Sequence, residues 1–103
     1  MTESAIQKDI TDYLRKAGYL VIRMNAGQTA HNQKGCPAGT PDLLAIGNGG
    51  TLWIEVKTAT GKVSKVQESM HDYLNLNGQT VIIARCVEDV IISATGSVSQ
   101  IRR

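Results

Sequence analysis

The chain has 103 residues, 42% of them hydrophobic and 19% charged, with a net charge of +2. That is enough for one domain with one core, expected to span residues 1–103. No apolar run approaches the ~20 residues of a membrane span, "MTESAIQKDI" is no signal peptide, and Cys36 and Cys86 are too few for a disulfide framework or a zinc site. Residues 4–17 predict an amphipathic helix, with Ile6, Ile10, Tyr13, Leu14 and Ala17 at helical spacing and Gly18 as the stop. Tyr19 to Asn25 reads as a strand. Residues 26–40 have no period and read as a long loop, of the kind that often carries function. "DLLAI" and "TLWIEVK" are strands joined by a "GNGG" turn. "SKVQESMHDYLNLNG" is a second helix, with Val63, Val66, Met70, Tyr73 and Leu74 expected on its apolar side. "TVIIARC" is a last strand, and a short helix is expected from about Val87. The order is αβββαβ, an α/β domain with a sheet and packed helices. The small net charge permits nucleic acid as a partner without arguing for it.

The hairpin carries the chemistry. If Ile46 and Thr51 flank the turn, Asp42 falls opposite Glu55. Directly opposed side chains have Cβ atoms roughly 5 Å apart, and like charges there are destabilising. At an effective dielectric near 20 the repulsion is on the order of 3 kcal/mol. Lys57, two residues beyond Glu55, points to the same face. Two carboxylates and a nearby carbonyl suit Mg²⁺, which keeps waters and takes phosphate oxygens. Lys57 beside them can hold a phosphate or an attacking water. Two readings stay open at this point. In the second, Asp42 merely caps the turn after "TP", with Glu55 and Lys57 as the polar face of an edge strand.

Gln67 lies on the apolar stripe of the second helix, and Glu3 in line with that of the first. Each has a structural explanation. Ser64 and Gln67 fit a capping box, and Glu3 complements a helix dipole. His31 and His71 have no ligand spacing and are expected to be ordinary.

"GTPDLLAI", "LWIEVK" and "S-x-x-Q", in that order after Glu3, resemble the VRR-NUC domain, a branch of the PD-(D/E)XK nuclease superfamily. The resemblance covers roughly Glu3 to Arg85; the tail after Cys86 matches least. It implies a restriction-endonuclease-like αβββαβ core, with a mixed central sheet flanked by helices. It also implies a Mg²⁺- or Mn²⁺-dependent endonuclease with no organic cofactor. Asp42, Glu55 and the Val56 carbonyl would bind the metal, with Glu3 acting directly or through water. Lys57 would position or activate the nucleophilic water, and Gln67 would orient Lys57 or that water. The resemblance further implies a small stand-alone protein of the phage or bacterial type, placed in the cytoplasm. Its implied state is a homodimer acting on branched DNA such as a Holliday junction. Candidate DNA contacts are Arg23, Gln28, His31, Asn32, Lys34, Lys62 and Lys65. The few aromatics argue against a dedicated single-strand binder. The alternatives are a nicking or restriction-like enzyme on linear or flapped duplex, and a non-catalytic nucleic-acid-binding module. The latter is disfavoured because the acids and the lysine are all present.

Overall fold

The computed structural model describes residues 1–24 and 35–91. Among these, helix α1 spans Glu3–Lys16 and strand β1 Leu20–Arg23. Strands β2 (Leu43–Gly47) and β3 (Gly50–Val56) follow, then helix α2 (Lys65–Leu76) and strand β4 (Val81–Ala84). The expected αβββαβ order is present. The strands form one mixed sheet in the order β1-β2-β3-β4, antiparallel except for the parallel β3–β4 pair. A parallel neighbour needs a crossover, and α2 supplies it. Among the described residues, no helix is long and apolar enough to cross a membrane.

Helix α1 starts where Thr2 Oγ1 accepts from the Ala5 N–H at 3.1 Å, with Glu3 in the first turn. It buries Ile6, Ile10 and Leu14, as the periodicity predicts, and Thr11 as well, while Ala17 is the exposed C-cap. These side chains pack on Val21, Leu43, Ala45, Leu52, Ile54 and Val56, which alternate to one face of the sheet. Residues 87–91 are helical, and Val90 completes this core. The expected short helix therefore begins where the sequence places it.

The turn between β2 and β3 differs from the expected four residues. Gly47 and Gly50 pair within the ladder, leaving Asn48 and Gly49, with φ of 51° and 78°. Positive φ at both central residues is the two-residue turn whose twist matches the strands. The register is unchanged, since Ile46 still pairs Thr51.

Helix α2 departs most from expectation. Val66 and Tyr73 are exposed, as is Leu76, and the one buried residue of the helix is His71. Of the apolar residues expected on the inner side, Val66 and Tyr73 therefore face outward, while Val63, Met70 and Leu74 are half-buried. The helix is also fixed at its start. Gly39 (φ +85°) lies so close to the Val66 carbonyl that an added Cβ would meet its oxygen at 2.5 Å. Gly39→Ala combines a left-handed backbone with a backbone clash, and a loss on the order of 3 kcal/mol is expected. Chemical denaturation measures it; a variant within ~0.5 kcal/mol of the parent would show that this contact does not constrain the helix.

Candidate active site

Asp42 follows the buried Pro41 and sits one residue before β2. The ladder ends at Leu43↔Ile54, so the next residues along it, Asp42 and Glu55, face each other as the sequence predicts. Asp42 Oδ2 accepts from the Val56 N–H at 2.8 Å, and the Asp42 carbonyl accepts from the Met24 N–H. The Cys36 thiol also donates to the Met24 carbonyl, tying the chain before Asp42 to the end of β1. Asp42 is thus held on both its backbone and its side chain.

Glu55 is a carboxyl only 2% exposed, in a strand otherwise apolar at Leu52, Ile54 and Val56. Its pKa is pushed up to about 8. Burial is the largest cause; the Asp42 charge and a hydrogen bond with Asp42 add to it, and Glu3 adds less. The Lys57 charge opposes the shift. Glu3, Asp42, Glu55 and Lys57 therefore lie within electrostatic reach of one another, although Glu3 comes from the far end of the chain.

Gln67 uses both ends of its amide. Its Oε1 accepts from the Ser64 N–H at 2.9 Å, completing the capping box, while its Nε2 donates to Glu55 Oε2 at 3.2 Å. The carbonyl end is committed to Ser64, so the amide end faces the carboxylate. Gln67 therefore touches Glu55, whereas the resemblance implied that it would orient Lys57 or a water.

His71, which the sequence predicts to be ordinary, lies against the same carboxyl group. It is buried, and its Nε2 lies 3.1 Å from Glu55 Oε1. Burial depresses its pKa, helped by Lys57 and opposed by Asp72 and Asp42. The signal was its spacing: residues four apart share a helix side, so whatever faces Gln67 also faces His71.

The donor chemistry suits a small hard cation. Two opposed carboxylates, one of them buried at an energetic cost, concentrate negative charge that a divalent ion would relieve. Among the described residues, no group of three or more His, Cys, Asp and Glu side chains is arranged to hold a metal. An ion here would need a carbonyl, water or phosphate oxygen to complete its shell, a coordination Mg²⁺ accepts.

Of the DNA candidates, Arg23 ends β1, Lys62 lies in the β3–α2 connection and Lys65 opens α2, and all three are exposed. Arg85 donates to the carbonyls of Thr58 and Gly61 at 2.7 Å and so braces that connection. Gln28, His31, Asn32 and Lys34 lie outside the described residues.

The family model of the archaeal Holliday junction resolvase (Hjc) matches residues 3–90. A solved structure titled "VRR_NUC domain" superposes with a TM-score of 0.67 at 24% identity, covering 85% of this chain and 88% of that one. That likeness concerns the fold, and it agrees with the resemblance read from "GTPDLL" and "IEVK". No curated protein matches.

Proposed function

The chain belongs to the archaeal Holliday junction resolvase family of nucleases, and on that premise we propose that it is a divalent-metal-dependent endonuclease that resolves four-way DNA junctions as a homodimer. The match to residues 3–90 supports reading residues 1–103 as one nuclease domain. The observation that supports this reading best is the buried Glu55 carboxyl, facing Asp42 and within the field of Lys57. A buried carboxyl kept next to a second one is costly to the fold alone and useful to a metal site.

Asp42, Glu55 and the Val56 carbonyl would hold Mg²⁺ or Mn²⁺, with Glu3 adding charge directly or through a water. When bound, the ion supplies Lewis-acid activation of a water and neutralises charge at the scissile phosphate. Lys57 donates to the attacking water or a phosphate oxygen and places positive charge where negative charge grows. Gln67 keeps the Glu55 carboxylate turned toward Asp42. Arg23, Lys62 and Lys65, with Gln28, His31, Asn32 and Lys34, contact phosphates and position the duplex without reading its sequence.

The homodimer follows from the task, since resolving a two-fold junction takes two symmetric cuts and each chain offers one site. Apolar residues left on the surface support it. Leu20 and Ile46 pair on the sheet face opposite α1 and are 60% and 39% exposed, and α2 exposes Val66, Tyr73 and Leu76. The test is a panel of labelled linear duplex, flap, splayed arm and four-way junction, each with Mg²⁺ and with Mn²⁺. Light scattering of the complex gives its mass. Preferential cutting of opposing junction strands by a dimer is expected. A monomer nicking linear duplex as readily as junctions would favour the nicking-enzyme alternative.

Metal uptake should be linked to protons. With its pKa at about 8, Glu55 holds a proton near neutrality, and a cation must displace it. Apparent Mn²⁺ affinity should rise by up to roughly tenfold per pH unit and level off above about pH 8, with close to one proton released per ion at about pH 7. Calorimetry in buffers of different ionisation heat measures this. Binding without proton release would remove Glu55 from the ligand set.

A further inference from the structure

We propose that His71 is a positioning residue for the Glu55 carboxyl group, gripping one oxygen while Gln67 grips the other, so that the group is already oriented when a cation arrives. This rests on the reading of Asp42 and Glu55 as metal ligands.

The argument starts from the helix. Gln67 and His71 are one turn apart on α2 and present their polar atoms to the same side. His71 Nε2 is 3.1 Å from Glu55 Oε1, and Gln67 Nε2 is 3.2 Å from Oε2. Both distances are at the long end of a hydrogen bond, and they engage different oxygens. A carboxylate has about four lone-pair sites, so one donor on each oxygen leaves acceptor capacity toward Asp42. The terminal torsion of a glutamate is broad when nothing holds it. Donors on both oxygens remove that freedom, and they come from a helix start that is itself fixed by the Ser64 capping box and the close approach of Gly39.

The residue type fits the task. A neutral imidazole with its proton on Nε2 donates one hydrogen bond and adds no charge, so it orients an anionic ligand without competing with the cation. A lysine or arginine in its place would pair with Glu55 and oppose metal entry. At 6% exposed, His71 is too enclosed for this contact to be a passing surface encounter. Among the described residues, no buried side-chain nitrogen or oxygen lacks a partner, so the contacts of Gln67 and His71 with Glu55 belong to a satisfied polar cluster.

The experiment is calorimetric Mn²⁺ titration of metal-stripped protein, comparing wild type with Asp42→Asn, His71→Leu and His71→Gln, each checked for folding by circular dichroism. His71→Leu should weaken Mn²⁺ binding about 10–100-fold. His71→Gln, whose amide can stand where Nε2 does, should recover most of that loss. Wild-type affinity in a folded His71→Leu would overturn the inference alone. Loss in His71→Gln as complete as in Asp42→Asn would also overturn it, making His71 a ligand. Failure of wild type to bind Mn²⁺ would end the metal reading itself and the inference with it. Should His71→Leu not fold, ¹⁵N spectra of Mg²⁺-loaded wild type decide the point: the proton belongs on Nε2, and an unprotonated Nε2 would overturn the proposal.

Discussion

Asp42→Asn and Glu55→Gln should each reduce junction cleavage on the order of a thousandfold or more while leaving the fold intact. Both replacements remove a charge and keep the shape. Asparagine can still accept from the Val56 N–H, the bond that Asp42 makes at 2.8 Å. Asp42→Ala is the poorer variant, since it would leave that N–H unpaired beside a fully buried Val56, at about 1–3 kcal/mol. Glu55→Gln should also change how metal-free protein responds to pH. The Glu55 pKa is raised from 4.5 to about 8, so the folded state holds its proton more tightly than the unfolded chain. That contribution is complete below 4.5 and is lost as pH rises to about 8. His71 acts in the opposite direction. Its pKa is depressed below 6.5, so its contribution is complete above 6.5 and is lost as pH falls. Glutamine at position 55 removes the first dependence, and the variant should melt higher than wild type at about pH 9. Gel assays of cleavage and melting curves across pH check the two halves. Wild-type cleavage by either variant would mean that the assigned carboxylates are not the metal site.

Lys57→Ala should lose cleavage by roughly a hundredfold to a thousandfold, with Mn²⁺ binding close to that of wild type. The lysine backbone continues β3 into the loop, its N–H bonding the Ala84 carbonyl at 3.0 Å, so truncating the side chain leaves the strand in place. The ammonium opposes the rise in the Glu55 pKa, which puts its charge within reach of the site. Losing that charge makes Glu55 slightly harder to ionise, so a small weakening of metal binding is expected along with the large loss of turnover. Lys57→Arg should recover little, because a planar guanidinium cannot stand in for a compact ammonium. Single-turnover cleavage alongside calorimetry separates the two effects. A folded Lys57→Ala that binds no metal would erase the distinction between lysine and carboxylates.

The legible parts of this site were the ones encoded by strand alternation. A period of two, a Gly-rich turn and one correct pair, Ile46↔Thr51, suffice to bring Asp42 opposite Glu55, and shortening the turn from four residues to two left that pair unchanged. Helix α2 is harder to read, because the rule that apolar stripes face the core holds there only in part, for the half-buried Met70 and Leu74. Val66 and Tyr73 point to solvent while Gln67 and His71 point at Glu55. A helix that covers a buried carboxyl must present polar atoms to it, and that demand outranks apolar burial. His71 has no metal-ligand spacing in the sequence, and its partner is a glutamate on another element. The sequence offers Gln67 as either a cap or a site residue, although an amide has two ends and here uses both.

Anomalous diffraction from crystals of wild-type protein grown with Mn²⁺ tests the central claim most directly. A peak is expected between Asp42 and Glu55, about 2.0–2.3 Å from an oxygen of each carboxylate and within reach of the Val56 carbonyl, with His71 and Gln67 still on the far side of Glu55. No peak at the two carboxylates under saturating Mn²⁺, or a peak only elsewhere, would contradict the account.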